Sequence, residues 1–287
     1  MRAVTPSFSI VIPAYNEAQR IAGTLEKILH FVSERQWNAE IIVVNDGSRD
    51  DTAAVVMQFR SRHIPLLLVN NLVNAGKGRA IRDGVLRAVG DVILFTDADN
   101  STPIEDSDLL IEAIANGADI AIGSRWIDRN LQHVPQPWYR RLNGRAYNLL
   151  LRMILGFDFK DTQNGFKAFT QAAGKAIFSR QKISGWGFDA EMLYLARTLS
   201  FSVREIPVSY VYYAEGSKIH PYLDGLRMLS ELLKLKWNAL SGAYSKISAP
   251  YEQLRNRLPT EALARAERPS EAILKRSIPL HSGRVRR

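Results

Sequence analysis

Asp97-Ala98-Asp99 places two carboxylates directly after the apolar run Val92–Thr96. In an extended chain, residues two apart face the same side. Two anions so placed repel unless a cation or hydrogen-bond donors compensate. A hard divalent ion does this, because Mg²⁺ or Mn²⁺ takes one or two carboxylates together with diphosphate oxygens. A solvated turn capped by an aspartate is the plain alternative. Asp46-Gly47-Ser48 closes another apolar run. There Asp46 either accepts a hydrogen bond from a ribose hydroxyl or nucleobase N–H, or belongs to a turn that caps the next helix. Asn74-Ala75-Gly76-Lys77-Gly78 has glycines that let backbone amides approach an anion ahead of a helix N-terminus. It is not a nucleotide-binding P-loop, which needs Ser or Thr after its Gly-Lys and four residues between its glycines.

Asp161-Thr162-Gln163-Asn164-Gly165-Phe166-Lys167 and Gly185-Trp186-Gly187-Phe188-Asp189-Ala190-Glu191 are dense polar–aromatic segments. Asp161, Asp189 and Glu191 have the chemistry to touch an acceptor or act as a base. Of Phe166, Trp186 and Phe188, at least two are expected in the core. His30, His63, His133, His220 and His281 show no metal-ligand spacing, and no Gly-x-Ser-x-Gly elbow appears.

The elements that must position these groups follow from hydrophobic periodicity. Phe8–Ile12 reads as a strand stopping at Pro13. Glu17 to about Glu34 reads as a helix with Ile21, Leu25, Ile28, Leu29 and Val32 on one face. Glu40–Val44 is a buried β-branched strand. A helix runs from Asp50 to about Ser61, with acidic residues in its first turn. Leu66–Val69 is a strand, Gly78–Val89 a helix and Val92–Thr96 a strand. Pro103 opens a helix with Thr102 as N-cap, and Ile120–Ile122 is a fifth strand. Val203–Val211 reads as one strand and Tyr222–Leu240 as a helix. Strands alternating with helices through short loops predict an α/β fold, a mostly parallel sheet with flanking helices. Ligands then bind beyond the carboxyl ends of the strands. The polar segments gather at that rim, Gly123-Ser124-Arg125 among them.

The chain has 287 residues, no cysteine and a net charge of +9, with 46% hydrophobic residues. That composition is globular. It excludes a disulfide framework, a thiolate metal site and a cysteine nucleophile. The basic balance fits an anionic partner: nucleic acid, phosphorylated small molecules or an acidic membrane face. No apolar run reaches the roughly 20 residues of a membrane span, and the N-terminus lacks the pattern of a signal peptide. Residues 1–245 are expected to form one domain. Residues 246–287, with four Pro and many Arg, read as a basic flexible tail with one short helix near Glu261–Lys275.

Taken in order and spacing, Pro13-Ala14-Tyr15-Asn16-Glu17, Val44–Ser48, Asn74–Gly78 and Asp97-Ala98-Asp99 resemble the family 2 inverting glycosyltransferases of GT-A (Rossmann-like, nucleotide-sugar-binding) fold. Asp161–Lys167, Gly185–Glu191 and Gly216-Ser217-Lys218 narrow the resemblance to polyprenyl-phosphate (dolichyl-phosphate) β-glucosyltransferases, with the mannosyltransferases next. It spans about residues 7–240. It implies that Pro13, Ala14, Tyr15, Glu17 and Asp46 line a nucleobase pocket, with Lys77 near the nucleotide. Asp97, Ala98 and Asp99 would meet the nucleotide sugar, and Asp97 and Asp99 would hold Mg²⁺ or Mn²⁺. Arg125, Ser217 and Lys218 would meet phosphates of the donor or of the acceptor lipid, with Gln163 beside them. Asp99, Arg125, Asp189 and Lys218 are the catalytic candidates. Asn164 stands where the glucosyltransferases commonly have Cys, and Asn100 where Gly or Leu is frequent.

The resemblance implies hexose transfer from UDP-glucose, or next from GDP-mannose, to a polyprenyl phosphate. Such an enzyme would be cytoplasmic and peripheral on an anionic membrane face. Two segments fit that contact: Trp138–Phe157, with Trp138, Tyr139, Leu149, Leu150, Ile154 and Phe157 beside Arg140, Arg141, Arg145 and Arg152; and Tyr222–Leu240, with Leu226, Leu229, Leu233, Trp237 and Leu240 beside Arg227, Lys234 and Lys236. Core helices with solvated basic faces are the ordinary alternative. Two other functions compete: transfer to a hydroxyl acceptor by the same fold, which requires a carboxylate base, and nucleic-acid binding. The rim carboxylates argue against a nucleic-acid groove.

Overall fold

A computed structural model describes residues 6–60, 63–134, 137–213 and 221–244. β1 (Ser7–Ala14), β2 (Asn38–Asp46), β3 (Leu66–Asn71) and β4 (Val92–Thr96) form a parallel set, and β5 (Ile120–Ser124) pairs in parallel with β8 (Val203–Pro207). Between these two groups lies β7 (Phe166–Thr170), antiparallel to both β4 and β5. The sheet order is β3-β2-β1-β4-β7-β5-β8. A separate parallel ribbon joins β6 (Gln132–Val134) to β9 (Tyr210–Val211).

Alternation along the strands divides the core into two layers. Ile10 and Ile12 of β1 face α1 (Ile21–Glu34), α2 (Thr52–Met57) and α4 (Ser107–Ala115), while Val11 faces the other layer. That second layer holds α3 (Lys77–Arg87), α6 (Gln171–Arg180) and α7 (Phe188–Thr198). The longer α5 (Trp138–Leu155) and α8 (Pro221–Leu240) add Leu151, Leu232 and Leu235 to it. Phe166 and Phe188 are buried as expected, and so is Phe157, which was expected at a lipid surface.

Several elements differ from the sequence expectation, among them α2, which runs Thr52–Met57 rather than from Asp50 to about Ser61 and has no acidic residue in its first turn. α1 begins at Ile21 rather than Glu17, because Glu17–Arg20 makes a turn whose Glu17 carbonyl accepts from both the Arg20 and Ile21 amides at 2.9 Å. Thr102 caps no helix: Pro103 precedes a short 3₁₀ turn, Ile104–Asp106, before α4, and no side chain caps it. The expected strand Val203–Val211 breaks at Val208-Ser209 into β8 and β9, where the Ser209 amide turns to the Asp106 carboxylate. β7 was not foreseen. Its register pairs Phe166 with Thr96, so its first residue lies beside the last of β4. The segment 161–165 is thereby delivered to the rim where the parallel strands end. The expected tail and the helix within it lie outside the described residues.

Candidate active site

A cleft of about 420 Å³ opens at this rim. One wall comes from the end of β1. Pro13, Ala14, Tyr15 and Glu17 line it, with Asn16 in the left-handed region at φ 52°. That turn is fixed by the Asn16 amide donating to Ser48 Oγ at 2.8 Å and by Asn16 Oδ1 accepting from the Arg49 amide at 2.8 Å. Asp46, at the end of β2, also lines the cleft. Its carboxylate accepts from the Gly76 amide at 2.8 Å and the Ala75 amide at 3.1 Å, which pins the Asn74–Gly78 loop. The loop needs glycine at Gly76, whose φ is 103° and where a Cβ would lie 2.5 Å from the Ser184 carbonyl oxygen.

Asp97-Ala98-Asp99 is a turn, not the extended segment expected: Asn100 adopts φ 51° and its amide donates to the Asp97 carbonyl. The two carboxylates therefore have different partners. Asp97 Oδ1 lies 2.6 Å from Lys77 Nζ. Asp99 Oδ1 accepts from the Ser101 amide at 3.0 Å and hydroxyl at 2.6 Å, while its Oδ2 lies 3.8 Å from Arg20 Nη1. Ala98 is buried, and its carbonyl accepts from Thr24 Oγ1 at 2.7 Å. Burial opposes the charge on Lys77, but Asp97, aided by Asp189 and Asp99, outweighs it and raises the lysine pKa. Lys77 Nζ also lies 5.2 Å from the Trp186 ring centre and 5.5 Å from that of Phe95, a cation–π cradle.

The opposite wall carries Arg125, whose Nε and Nη2 bind the Asp161 carboxylate at 2.6 and 2.8 Å. Burial alone would raise the Asp161 pKa; the Arg125 guanidinium overcomes this and holds it below the ordinary value. Glu205 accepts from the Asp161 amide at 2.6 Å and braces the pair from behind. Gln163, Asn164 and Gly165 lie on the floor, and a Cβ on Gly165 would sit 1.9 Å from Asp97 Oδ2. Asp189 is placed differently: it is buried behind the wall, 2.7 Å from Lys167 Nζ, and is not among the cleft-lining residues. Glu191 is buried too, accepting from the Lys182 and Ile183 amides. Ser217 and Lys218 lie outside the described residues.

Sequence reasoning missed several lining residues: Arg20, Thr102, Tyr212, Tyr213 and Arg227. The aromatic run Tyr210–Tyr213 after a short strand was the available signal for two of them. Arg227, four residues from Glu231 on a predicted helix, carried no local signal.

Among the described residues no three carboxylate or imidazole side chains converge on one point. Two carboxylates on one turn, beside a cationic wall, suit an ion that shares its shell with a diphosphate. The residues present therefore fit a divalent cation of that kind.

The sheet, the acidic turn and the cationic wall are the arrangement that the resemblance to GT-A glycosyltransferases implies. The family model of glycosyl transferase family 2 matches residues 9–183, and the chain belongs to that family. It is 37% identical over 238 residues to a dolichyl-phosphate beta-glucosyltransferase of Trichomonas vaginalis, covering 79% of this chain and 72% of the relative. It is 32% identical over 253 residues to the dolichyl-phosphate beta-glucosyltransferase of Homo sapiens, covering 84% and 78%. Among solved structures it resembles glucosyl-3-phosphoglycerate synthase of Mycobacterium tuberculosis, crystallised with Mn²⁺, UDP-glucose and phosphoglyceric acid. That match has a TM-score of 0.59 at 19% identity and covers 80% of this chain and 79% of the other.

Proposed function

We propose that the enzyme transfers glucose from UDP-glucose to the phosphate of a polyprenyl lipid of the dolichyl type, with inversion at the anomeric carbon. The observation that carries this reading is the match, over most of both chains, to relatives named for that acceptor and sugar. The cleft supports it chemically. A phosphomonoester has its second pKa near 6, so its oxygen is already an anionic nucleophile at neutral pH. The reaction then needs no carboxylate base, and Asp189 lies buried in an ion pair rather than facing the cleft.

In this reading the acceptor phosphate oxygen attacks C1 of glucose, the bond from C1 to the UDP oxygen breaks, and UDP leaves with the electron pair. The β1 end, with Tyr15, Glu17 and Asp46, seats the nucleoside. Lys77 meets the departing diphosphate, whose growing charge is the main thing to stabilise. Arg125, held rigid by Asp161, and Gln163 orient the acceptor phosphate. Asp97 and Asp99 would hold Mg²⁺ or Mn²⁺, which would supply charge neutralisation at the diphosphate. Asp189 supports the floor through Lys167, which also donates to the Asn164 carbonyl.

A lipid acceptor requires a membrane surface. No helix among the described residues is long and apolar enough to cross one. Leu229, Leu233, Trp237 and Leu240 are exposed along α8, as are Leu149 and Met153 on α5, with exposed Arg145, Arg152, Lys234 and Lys236 nearby. Such a face suits the headgroup plane of an anionic bilayer. The side chains of Trp138, Tyr139, Arg140, Ile154 and Leu226, also expected there, lie outside the described residues.

The test is transfer from labelled UDP-glucose to polyprenyl phosphate in vesicles, beside GDP-mannose as donor and simple saccharides as acceptors. Label is expected in an acid-labile lipid product, and Asp99→Ala or EDTA is expected to abolish it. Label on the saccharide, with none on lipid, overturns the acceptor assignment. Undiminished activity after both treatments overturns the metal assignment.

A further inference from the structure

Helix α8 sends one acidic side chain inward. Glu231 Oε2 accepts from the Gly187 amide at 2.6 Å. Its carboxylate fills the space beside Gly185, where a Cβ would come within 2.0 Å of Oε1, and a Cβ on Gly187 would come within 2.8 Å of Glu231 Cβ. The carboxylate thus grips both residues that flank Trp186. The Trp186 ring lines the cleft and lies 5.2 Å from Lys77 Nζ, which in turn pairs with Asp97 at 2.6 Å. The same loop braces the other end of the Lys77 segment: the Ser184 carbonyl accepts from the Arg79 amide at 3.1 Å and abuts Gly76. A continuous chain of contacts therefore runs from α8 to the acidic turn.

We propose that Glu231 is a positioning residue for the donor pocket, acting through the Gly185-Trp186-Gly187 loop on Lys77 and Asp97. The proposal rests on the assignment of this cleft to a nucleotide-sugar donor. The simpler role is a cap on α7, whose N-cap residue is Gly187 and which has no side-chain cap of its own. A cap stabilises the helix, but it does not by itself make donor affinity depend on Trp186. The contact also has a consequence for α8. One turn before Glu231 the helix brings Arg227 to the cleft, and its outer face carries Leu229, Leu233 and Trp237. One rigid element thus holds the loop over the donor and presents the apolar face.

The test is a double-mutant cycle on the full-length enzyme. UDP-glucose affinity is measured by calorimetry with Mn²⁺, with melting temperature and steady-state kinetics alongside, for wild type, E231A, E231Q, W186A and E231A/W186A. Loss of a charge-assisted hydrogen bond that orders the pocket is expected to weaken donor binding by about 10-fold in E231A. E231Q, which keeps an acceptor oxygen, recovers part of this. In the W186A background E231A costs about twofold or less, because the residue through which it acts is gone. The KM for UDP-glucose rises more than kcat falls. Unchanged affinity in E231A, or losses that multiply independently in the double variant, overturn the positioning role. Wild-type enzyme that binds no UDP-glucose overturns the donor assignment and the positioning role with it. Should E231A not fold, the same cycle run with E231Q decides by the same criterion.

Discussion

Lys167 sits at the centre of β7 with 1% of its side chain exposed, an unusual place for a cation. It is tolerated because the Asp189 carboxylate and the Asn164 carbonyl accept hydrogen bonds from its ammonium group. Removing one partner strands the other charge in the core, so Lys167→Met is expected to destabilise the protein by about 3–5 kcal/mol, read from denaturant unfolding. Lys167→Met with Asp189→Leu should recover much of that loss. Asp161 gives a pH signature. Its folded pKa is depressed, so its stabilisation is complete above the ordinary aspartate value and is lost as pH falls towards the depressed one. Melting temperature should therefore drop on acidification below about pH 4, and Asp161→Asn should flatten that limb. At this scale the acidic turn, Asp46 and Lys77 were legible, since polar and charged residues gathered beyond the carboxyl ends of parallel strands mark the rim where ligands bind. Trp186, Tyr212 and Tyr213 were not, because an aromatic side chain in a polar segment reads equally as core. Nor was the split between Asp97 and Asp99, which depends on the left-handed Asn100 rather than on spacing.

Among the elements, the parallel strands and their crossover helices were legible because their apolar periods are unbroken. β7 was not: Phe166-Lys167-Ala168-Phe169-Thr170 has a cation at its middle, and only the tertiary partner Asp189 makes it a buried strand. The long helix after β9 was legible in extent, Pro221–Leu240 against Tyr222–Leu240. Its two roles were not, since periodicity marks an apolar face without saying whether protein or lipid covers it. Leu232 and Leu235 turn to the core, whereas Leu233 and Trp237 are 59% and 72% exposed. Replacing Leu233 and Trp237 together with Ser should therefore leave folding intact. Binding to anionic vesicles in a sedimentation assay should fall by roughly 10- to 100-fold, the apolar transfer energy of two partly inserted side chains.

For the whole molecule, ligand binding and stability are linked. UDP-glucose with Mn²⁺ at about 100 times its dissociation constant should add about 2.7 kcal/mol, raising the melting temperature by roughly 5–10 °C. Chelation should remove most of that rise while leaving the ligand-free melting temperature unchanged. The general architecture was legible because alternation of strand and helix constrains topology tightly. The strand order was not, because β7 enters the sheet out of sequence. That insertion shapes how the chain must be made. β4 and β5 share no ladder of their own and meet only through β7. Until residue 170 has left the ribosome, the open flank of β4 has no neighbour, and a bare strand flank invites pairing with other chains. The parallel group from β1 to β4 can assemble early, but β5 must wait for β7, which begins more than 40 residues after β5 ends. Biogenesis should thus be slowest, and most exposed to aggregation, in the interval when β5 has been made but not yet joined to the sheet.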